Sequence, residues 1–246
     1  MENNIKSLSI VFPAFEEEKK IENDILRASE FLEQNNISGE IIVVDDGSKD
    51  GTYSIANNIK KTIPFDLIII KHDKNLGKGF AVKSGILRAT KEFILYSDVG
   101  DIVPLEYALV GFERLKENYA DVANGSRKLP ESIIIKQQDN DRKIASWIFN
   151  KIFKKYLNVP RNLTDTQCGF KIYKSKVGKE LFSELQTNGF LFEIEIILRA
   201  VQSGYHILEF PLEWKCDRDS RIGFLKTAPE IVSEIFTLKK MFKINI

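Results

Sequence analysis

The chain has 246 residues, of which 43% are hydrophobic and 29% charged, proportions of a globular protein rather than a disordered or fibrous one. Lysine and arginine number 36 against 35 aspartates and glutamates, and this net charge of +1 argues against a protein that coats nucleic acid. Two histidines and two cysteines exclude a three-histidine zinc site, a four-thiolate site and a disulfide framework. Catalysis is thereby pushed toward carboxylates, Arg/Lys and backbone groups.

The N-terminal stretch Met1–Leu8 is polar, and apolar runs such as Ile41–Val44 and Leu67–Ile70 fall far short of the roughly 20 residues of a membrane-spanning helix. The expectation is a cytoplasmic protein with reduced thiols and no secretory leader. Charge is uneven along the chain. Residues 1–46 hold eleven acidic against four basic side chains, and residues 136–161 hold seven basic against two acidic. The basic stretch is either a solvated face or the counterpart of a phosphate or an anionic membrane.

In chain order, Ser7–Phe12 and Glu40–Asp45 read as short buried strands separated by a helix over Lys19–Glu33. Leu67–Lys71, Glu92–Ser97 and Val122–Gly125 read as further strands. Helices are expected over Lys78–Ala89 and over Leu105–Lys116, the latter opened by Pro104. This alternation predicts βαβ units, a parallel sheet and helices on both its faces. Leu129–Lys143 reads as a long loop, Ile144–Tyr156 as an amphipathic helix, and Leu163–Lys174 as a dense turn and strand. Helical stretches follow around residues 175–185 and 191–203, then a strand over Tyr205–Trp214. Phe224–Phe242 closes the chain as a helix with Ile231, Ile235, Leu238 and Phe242 on one face. No linker divides the chain, so one domain over residues 1–225 is expected, followed by an amphipathic helix over residues 226–246.

Ligands of open α/β sheets lie beyond the carboxyl ends of the strands, and four clusters fall there. The first strand runs into Pro13-Ala14-Phe15 and then Glu16, Glu17 and Glu18, where exposed carbonyls and an aromatic ring suit a base, or where the acids serve only the next helix N-terminus. The second ends in Asp45-Asp46-Gly47-Ser48-Lys49-Asp50-Gly51-Thr52. Successive side chains of a strand alternate, so one aspartate can take a base or ribose donor while the other caps the turn. Asp50 or Thr52 can cap the following helix. The third, Asn75-Leu76-Gly77-Lys78-Gly79-Phe80-Ala81, is neither a P-loop nor a dinucleotide fingerprint, yet Lys78 at a helix N-terminus can neutralise an anion. The fourth is Tyr96-Ser97-Asp98-Val99-Gly100-Asp101, whose paired carboxylates suit Mg²⁺ or Mn²⁺.

Together these clusters resemble glycosyltransferase family 2, the GT-A nucleotide-sugar enzymes, and within it the dolichyl-phosphate β-glucosyltransferase and mannose synthase branch. The likeness also rests on Gly125-Ser126-Arg127, on Asp165-Thr166-Gln167-Cys168-Gly169-Phe170-Lys171 and on Phe192-Glu193-Ile194-Glu195, and it spans about residues 7–225. The resemblance implies a GT-A fold, a Rossmann-like and mainly parallel sheet flanked by helices. It implies that Pro13, Ala14, Phe15, Glu17, Asp45 and Asp46 bind the nucleotide, with Lys78 nearby. Asp98 would begin the metal-binding DxD motif, Arg127 and Arg142 would hold an acceptor phosphate, and Asp165 and Gln167 would lie near the transferred sugar. Two positions depart from the family pattern. Glu16 stands where Asn is expected, and the second DxD carboxylate is displaced by one residue to Asp101, which Gly100 could bring to the metal through an unusual turn.

The implied reaction moves a hexose, glucose rather than mannose from the look of the Asp165–Lys171 run, out of UDP-glucose or GDP-mannose onto a polyprenyl phosphate. It inverts at the anomeric carbon. Such a phosphate has a second pKa of about 6, so the nucleophile arrives ionised and needs placement more than a strong base. Peripheral docking on a membrane, by the basic amphipathic stretches 143–156 and 224–243, would bring the lipid, and no nucleic-acid partner is expected. A glycosyltransferase with a saccharide acceptor, a non-catalytic nucleotide-sugar-binding module and, more distantly, a nicotinamide dehydrogenase remain the alternative readings.

Overall fold

The computed structural model describes residues 7–116, 120–136, 156–189, 191–216 and 224–244, the stretch 224–230 by its backbone alone. Nine strands and seven helices are ordered along these residues. They run β1 (Ser7–Ala14), α1 (Ile21–Gln34), β2 (Ser38–Asp45), α2 (Thr52–Ile59), β3 (Asp66–Lys71), α3 (Lys78–Arg88), β4 (Phe93–Ser97), α4 (Tyr107–Lys116), β5 (Val122–Ser126) and β6 (Ile133–Lys136). After these come β7 (Phe170–Lys174), α5 (Ser175–Ser183), α6 (Phe192–Gln202), β8 (Ile207–Pro211), β9 (Glu213–Lys215) and α7 (Phe224–Met241). The helix expected over residues 144–156 and Arg142 lie outside the described residues, Tyr156 excepted.

Seven strands form one sheet in the order β3-β2-β1-β4-β7-β5-β8. All its pairings are parallel except those of β7, which runs against both β4 and β5. Alternation along each strand divides the side chains between two cores. Ile41 and Val43 of β2 join Leu8, Ile10 and Phe12 of β1 under α1, α2 and α4. Ile42 and Val44 face the other way, with Val11 and Tyr96, under α3, α5 and α6. Both faces are covered, which is why these strands read as apolar runs rather than as alternating ones.

Three elements differ in detail from the expectation. The stretch expected as one strand over Tyr205–Trp214 is two strands in different sheets, because β9 leaves β5 and pairs with β6. That pairing also turns Ile133–Lys136, expected within a loop, into a strand. Helix α4 begins at Tyr107, after i to i+3 turns in which the amides of Tyr107 and Ala108 donate to Pro104 and Leu105.

The C-terminal helix packs inward. Ile231 and Leu238 of α7 are buried against Leu191, Ile194, Ile197 and Leu198, with Ile235 and Phe242 beside them. The apolar face expected on this helix is thus a seam with α6, and its outward side carries Val232 and the 69%-exposed Phe236. Leu238→Ala is expected to lower the unfolding free energy in urea by about 2–5 kcal/mol, as for a fully buried leucine. Phe236→Ser should change it by less than about 0.5 kcal/mol, and equal small effects would show that the helix does not pack here.

Candidate active site

Because β7 runs against its neighbours, its start meets the carboxyl ends of the parallel strands, with Phe170 opposite Ser97. The segment leading into β7 therefore shares one end of the sheet with the loops after β1, β2, β4 and β5.

The loops after β1 and β2 are zipped together. The amides of Glu16 and Glu17 donate to the hydroxyls of Ser48 and Thr52, both at 2.8 Å, and the Gly51 amide donates to the Glu18 carboxylate at 2.8 Å. Asp50 accepts from the Thr52 amide at 3.0 Å in the turn before α2, whose N-cap residue is Gly51 and carries no side-chain cap. Glu16 has φ 54°, a left-handed conformation that asparagine adopts more readily than glutamate, which gives a physical reason for asparagine at this position of the motif. β1 itself carries on through Pro13 to Ala14, and Glu17 pairs with Lys20 at 3.2 Å.

The two aspartates at the end of β2 have different partners. Asp45 caps its own turn by accepting from the Ser48 amide at 3.0 Å, while its buried Oδ2 has no partner among the described residues. Asp46 accepts from the amides of Leu76 and Gly77 at 3.0 and 2.9 Å and lies 2.7 Å from Nδ1 of His72, whose Nε2 is 3.0 Å from Ser84 Oγ. Asp46 is therefore the anchor of the turn that precedes Lys78.

Lys78, the first residue of α3, reaches across to Asp98 at the end of β4, with Nζ 2.8 Å from Oδ1 and 3.0 Å from Oδ2. Burial would lower the Lys78 ammonium's pKa, but the charges of Asp98 and Glu193 outweigh burial and hold it above its ordinary value. Tyr96 donates to Asp98 Oδ1 at 2.8 Å, and burial together with Asp98 and Glu193 keeps its phenol protonated. The Asp98 amide donates to the Gly169 carbonyl at 2.9 Å, and a Cβ at Gly169 would collide with the Asp98 carboxylate. Only glycine lets the β7 segment lie this close.

The unusual turn at Gly100 is present, with φ 107° there and 53° at Asp101. Its amides are taken by Asp24 of α1, which accepts from Gly100 at 2.7 Å and Asp101 at 3.0 Å. Burial pushes the Asp24 carboxyl up to about 6 against these two hydrogen bonds. The Asp101 carboxylate pairs with Arg27 of the same helix. Asp98 and Asp101 thus have different partners, one on α3 and the other on α1. Among the described residues no group of three or more His, Cys, Asp or Glu side chains could hold a metal ion.

Arg127 and Asp165 form a bidentate buried pair, Nε to Oδ2 at 2.6 Å and Nη2 to Oδ1 at 2.8 Å, completed by the amides of Arg127 and Gln167 at 3.1 and 3.3 Å. Burial alone would raise Asp165, but the guanidinium outweighs it and holds the carboxyl well below the usual carboxylate range. Arg127 also donates to the Gln167 carbonyl at 3.0 Å and lies 5.3 Å over the Trp214 ring. Glu209 of β8 accepts from the amides of Thr164 and Asp165, and Asn124 of β5 donates to the Asp165 carbonyl, so the segment is clamped from both strands.

Several residues in this region have no role readable from the motifs. Lys171 is buried and donates to the Cys168 carbonyl at 2.5 Å and to Glu193 at 2.8 Å, tying the β7 segment to α6. Glu195 accepts from the amides of Gln186 and Thr187 and pairs with Arg199. The signal for both glutamates was carboxylates embedded in an apolar helical run, Phe192–Leu198. Burial pushes the Cys168 thiol up to about 12, which leaves it protonated and inert as a nucleophile.

A mainly parallel sheet with one reversed strand, carrying a carboxylate and a lysine at the carboxyl ends of its strands, defines a GT-A-like fold. Glucosyl-3-phosphoglycerate synthase from Mycobacterium tuberculosis, solved with Mn²⁺, UDP-glucose and glycerol 3-phosphate, superposes with a TM-score of 0.73 at 16% identity, over 98% of this chain and 82% of that one. Residues 9–182 match glycosyl transferase family 2, and the chain belongs to that family of enzymes. It is 31% identical over 221 residues to human dolichyl-phosphate β-glucosyltransferase, covering 85% of this chain and 67% of that protein. Glycosyltransferase AglD of Haloferax volcanii is 27% identical over 231 residues. The chain spans 36% of AglD's length and 66% of that of the Drosophila melanogaster dolichyl-phosphate β-glucosyltransferase.

The buried pair sets a pH dependence. Asp165 has a folded pKa below its unfolded value of about 3.9, so its stabilisation is complete above that value and is lost as pH falls through the folded one. In unfolding measured between about pH 6 and 2, Asp165→Asn should start from a lower stability and lose less than the wild type below about pH 4. Parallel acid limbs for the two proteins would contradict the assignment.

Proposed function

We propose that the chain transfers a hexose, glucose in preference to mannose, from a nucleotide sugar to a polyprenyl phosphate with inversion at the anomeric carbon. The observation that carries this reading is the Lys78–Asp98 pair at the carboxyl end of the sheet, with the Asp165–Lys171 segment folded directly onto it. UDP-glucose is the preferred donor and GDP-mannose the alternative.

In this reading the nucleoside lies over the Pro13-Ala14-Phe15 end of β1, beside Glu17. Asp45 Oδ2, a buried oxygen that is costly to leave unpaired, accepts from the base or ribose. Asp46 contributes by holding the turn that aims Lys78. When the bond between the anomeric carbon and the diphosphate breaks, its electron pair leaves with the nucleotide, and Lys78 neutralises the charge that develops. A phosphate oxygen of the acceptor forms the new bond from the opposite face. No proton has to be removed, because that phosphate is already ionised.

Asp165 is a poor candidate for a general base, since its oxygens accept from four donors and it is fully buried. This favours an ionised phosphate over a saccharide hydroxyl as acceptor. Asp165 and the Gln167 carbonyl instead orient Arg127. With Arg142, Arg127 holds the acceptor phosphate. Mg²⁺ or Mn²⁺ would supply further neutralisation of the diphosphate, and one carboxylate suffices where phosphate and water complete the shell. Asp98 fits that role, and Asp101 joins it only by leaving Arg27.

No helix among the described residues is long and apolar enough to cross a membrane. In this reading the chain meets the lipid by a peripheral approach on the cytoplasmic face, for which α7 offers Val232 and Phe236 on its outward side.

Incubation with labelled UDP-glucose, Mg²⁺ or Mn²⁺ and a polyprenyl phosphate should yield a lipid-linked hexose. Asp98→Ala should lower turnover by about 100-fold or more, the scale of losing one transition-state charge contact. Arg127→Ala and Arg142→Ala should weaken acceptor use while donor binding is kept. Binding of UDP-glucose without transfer to any acceptor would favour the non-catalytic reading, which the Asp101–Arg27 pair supports.

A further inference from the structure

We propose that Glu234, on the C-terminal helix, is a positioning residue for Lys78. It acts through the segment between α5 and α6, and the inference rests on the donor-site reading given above for its effect on nucleotide binding. The first amides of an α-helix have no partner within it. In α3 the Gly79 amide finds one in the Asn188 carbonyl, at 2.8 Å. The contact is close enough that a Cβ at Gly77, where φ is 101°, would strike that same carbonyl, and a Cβ at Gly79 would lie 2.7 Å from Phe192 Cβ and 2.8 Å from the Thr187 carbonyl. The two glycines that flank Lys78 are therefore moulded to the backbone of residues 187–188.

That backbone is held in turn by two carboxylates. On the α6 side, Glu195 accepts from the amides of Gln186 and Thr187 at 2.9 and 2.7 Å. From α7, Glu234 accepts from the amides of Gly189 and Leu191 at 2.8 and 3.1 Å. A Cβ on Gly189 would lie 2.8 Å from the Glu234 carboxylate, so this position too is shaped to the glutamate. The chain of contacts runs from Glu234 to Gly189, to the Asn188 carbonyl, to the Gly79 amide, and so to the turn that delivers Lys78 to Asp98. Asp46 grips this turn from one side and Asn188 from the other. α7 is thereby part of the donor site's scaffold, 43 to 45 residues in sequence from the amides it holds.

The test compares wild type, Glu234→Ala, Glu234→Gln and, as a control at an exposed position of the same helix, Ser233→Ala, by amide hydrogen exchange and by titration with UDP in Mg²⁺. Glu234→Ala should speed exchange at Gly79 about tenfold or more and weaken UDP about five- to tenfold, with Glu234→Gln intermediate and Ser233→Ala unchanged. In the Lys78→Ala background, Glu234→Ala should weaken UDP little further, because both changes act on one contact. The proposal is overturned if Gly189 and Leu191 exchange faster while Gly79 does not. It is equally overturned if the losses of Glu234→Ala and Lys78→Ala in UDP affinity are fully additive. Should the wild type itself fail to bind UDP, the donor-site reading falls, and the Gly79 exchange alone then decides whether α7 positions this turn.

Discussion

Asp98 leaves β4 with its amide bonded to the Gly169 carbonyl and its carboxylate set between the ammonium of Lys78 and the phenol of Tyr96. Three stretches of chain meet at this one side chain: the N-terminus of α3, the end of β4 and the segment entering β7. Each is constrained by the others. The β7 segment can approach only because residue 169 lacks a Cβ, and Lys78 is aimed because Asp46 fixes the turn before it and Asn188 holds the Gly79 amide after it. A half-buried lysine beside a carboxylate can exchange that partner for a more highly charged anion such as a diphosphate.

Around this centre lies a shell of buried charge. Arg127–Asp165 and Lys171–Glu193 join segments far apart in sequence, while Arg199–Glu195 is a pair within α6 whose glutamate also accepts from the loop before that helix. Burying an ion pair costs much of what the attraction returns, so these pairs are weak evidence for stability and stronger evidence for geometry. Each carboxylate also accepts from backbone amides or lies beside carbonyls held by its cation, and the effect is to define loops that have no regular secondary structure. The charges specify the shape of the site while the two apolar layers hold the sheet together.

The parallel core was legible because both faces of each strand are buried, so Ile41–Val44 and Leu67–Ile70 announce themselves as apolar runs. The ends of those strands were legible too, since carboxylates and glycines there have no use in a core. The small sheet of β6 and β9 was not. Ile133–Ile135 is an exposed apolar run without alternation, and its partner lies about 80 residues further on. Within the site, Asp98, Lys78 and the unusual turn at Gly100 could be read from the sequence, but the partners could not. That Asp46 grips backbone amides, that Asp101 turns to Arg27, and that Asp165 is enclosed by Arg127 are outcomes of tertiary contact, to which local spacing is blind. The amphipathic pattern of α7 was correct, but periodicity does not say whether an apolar stripe meets lipid or another helix.

The proposed transfer requires a nucleotide-diphosphate site at the carboxyl end of the sheet. The most direct test is a crystal structure with UDP and Mn²⁺, using the anomalous signal of manganese. A manganese peak is expected at Asp98, the diphosphate beside Lys78, and the base or ribose within hydrogen-bonding distance of Asp45. A nucleotide bound elsewhere, or one bound here with Lys78 still closed on Asp98 and turned away from the diphosphate, would contradict it.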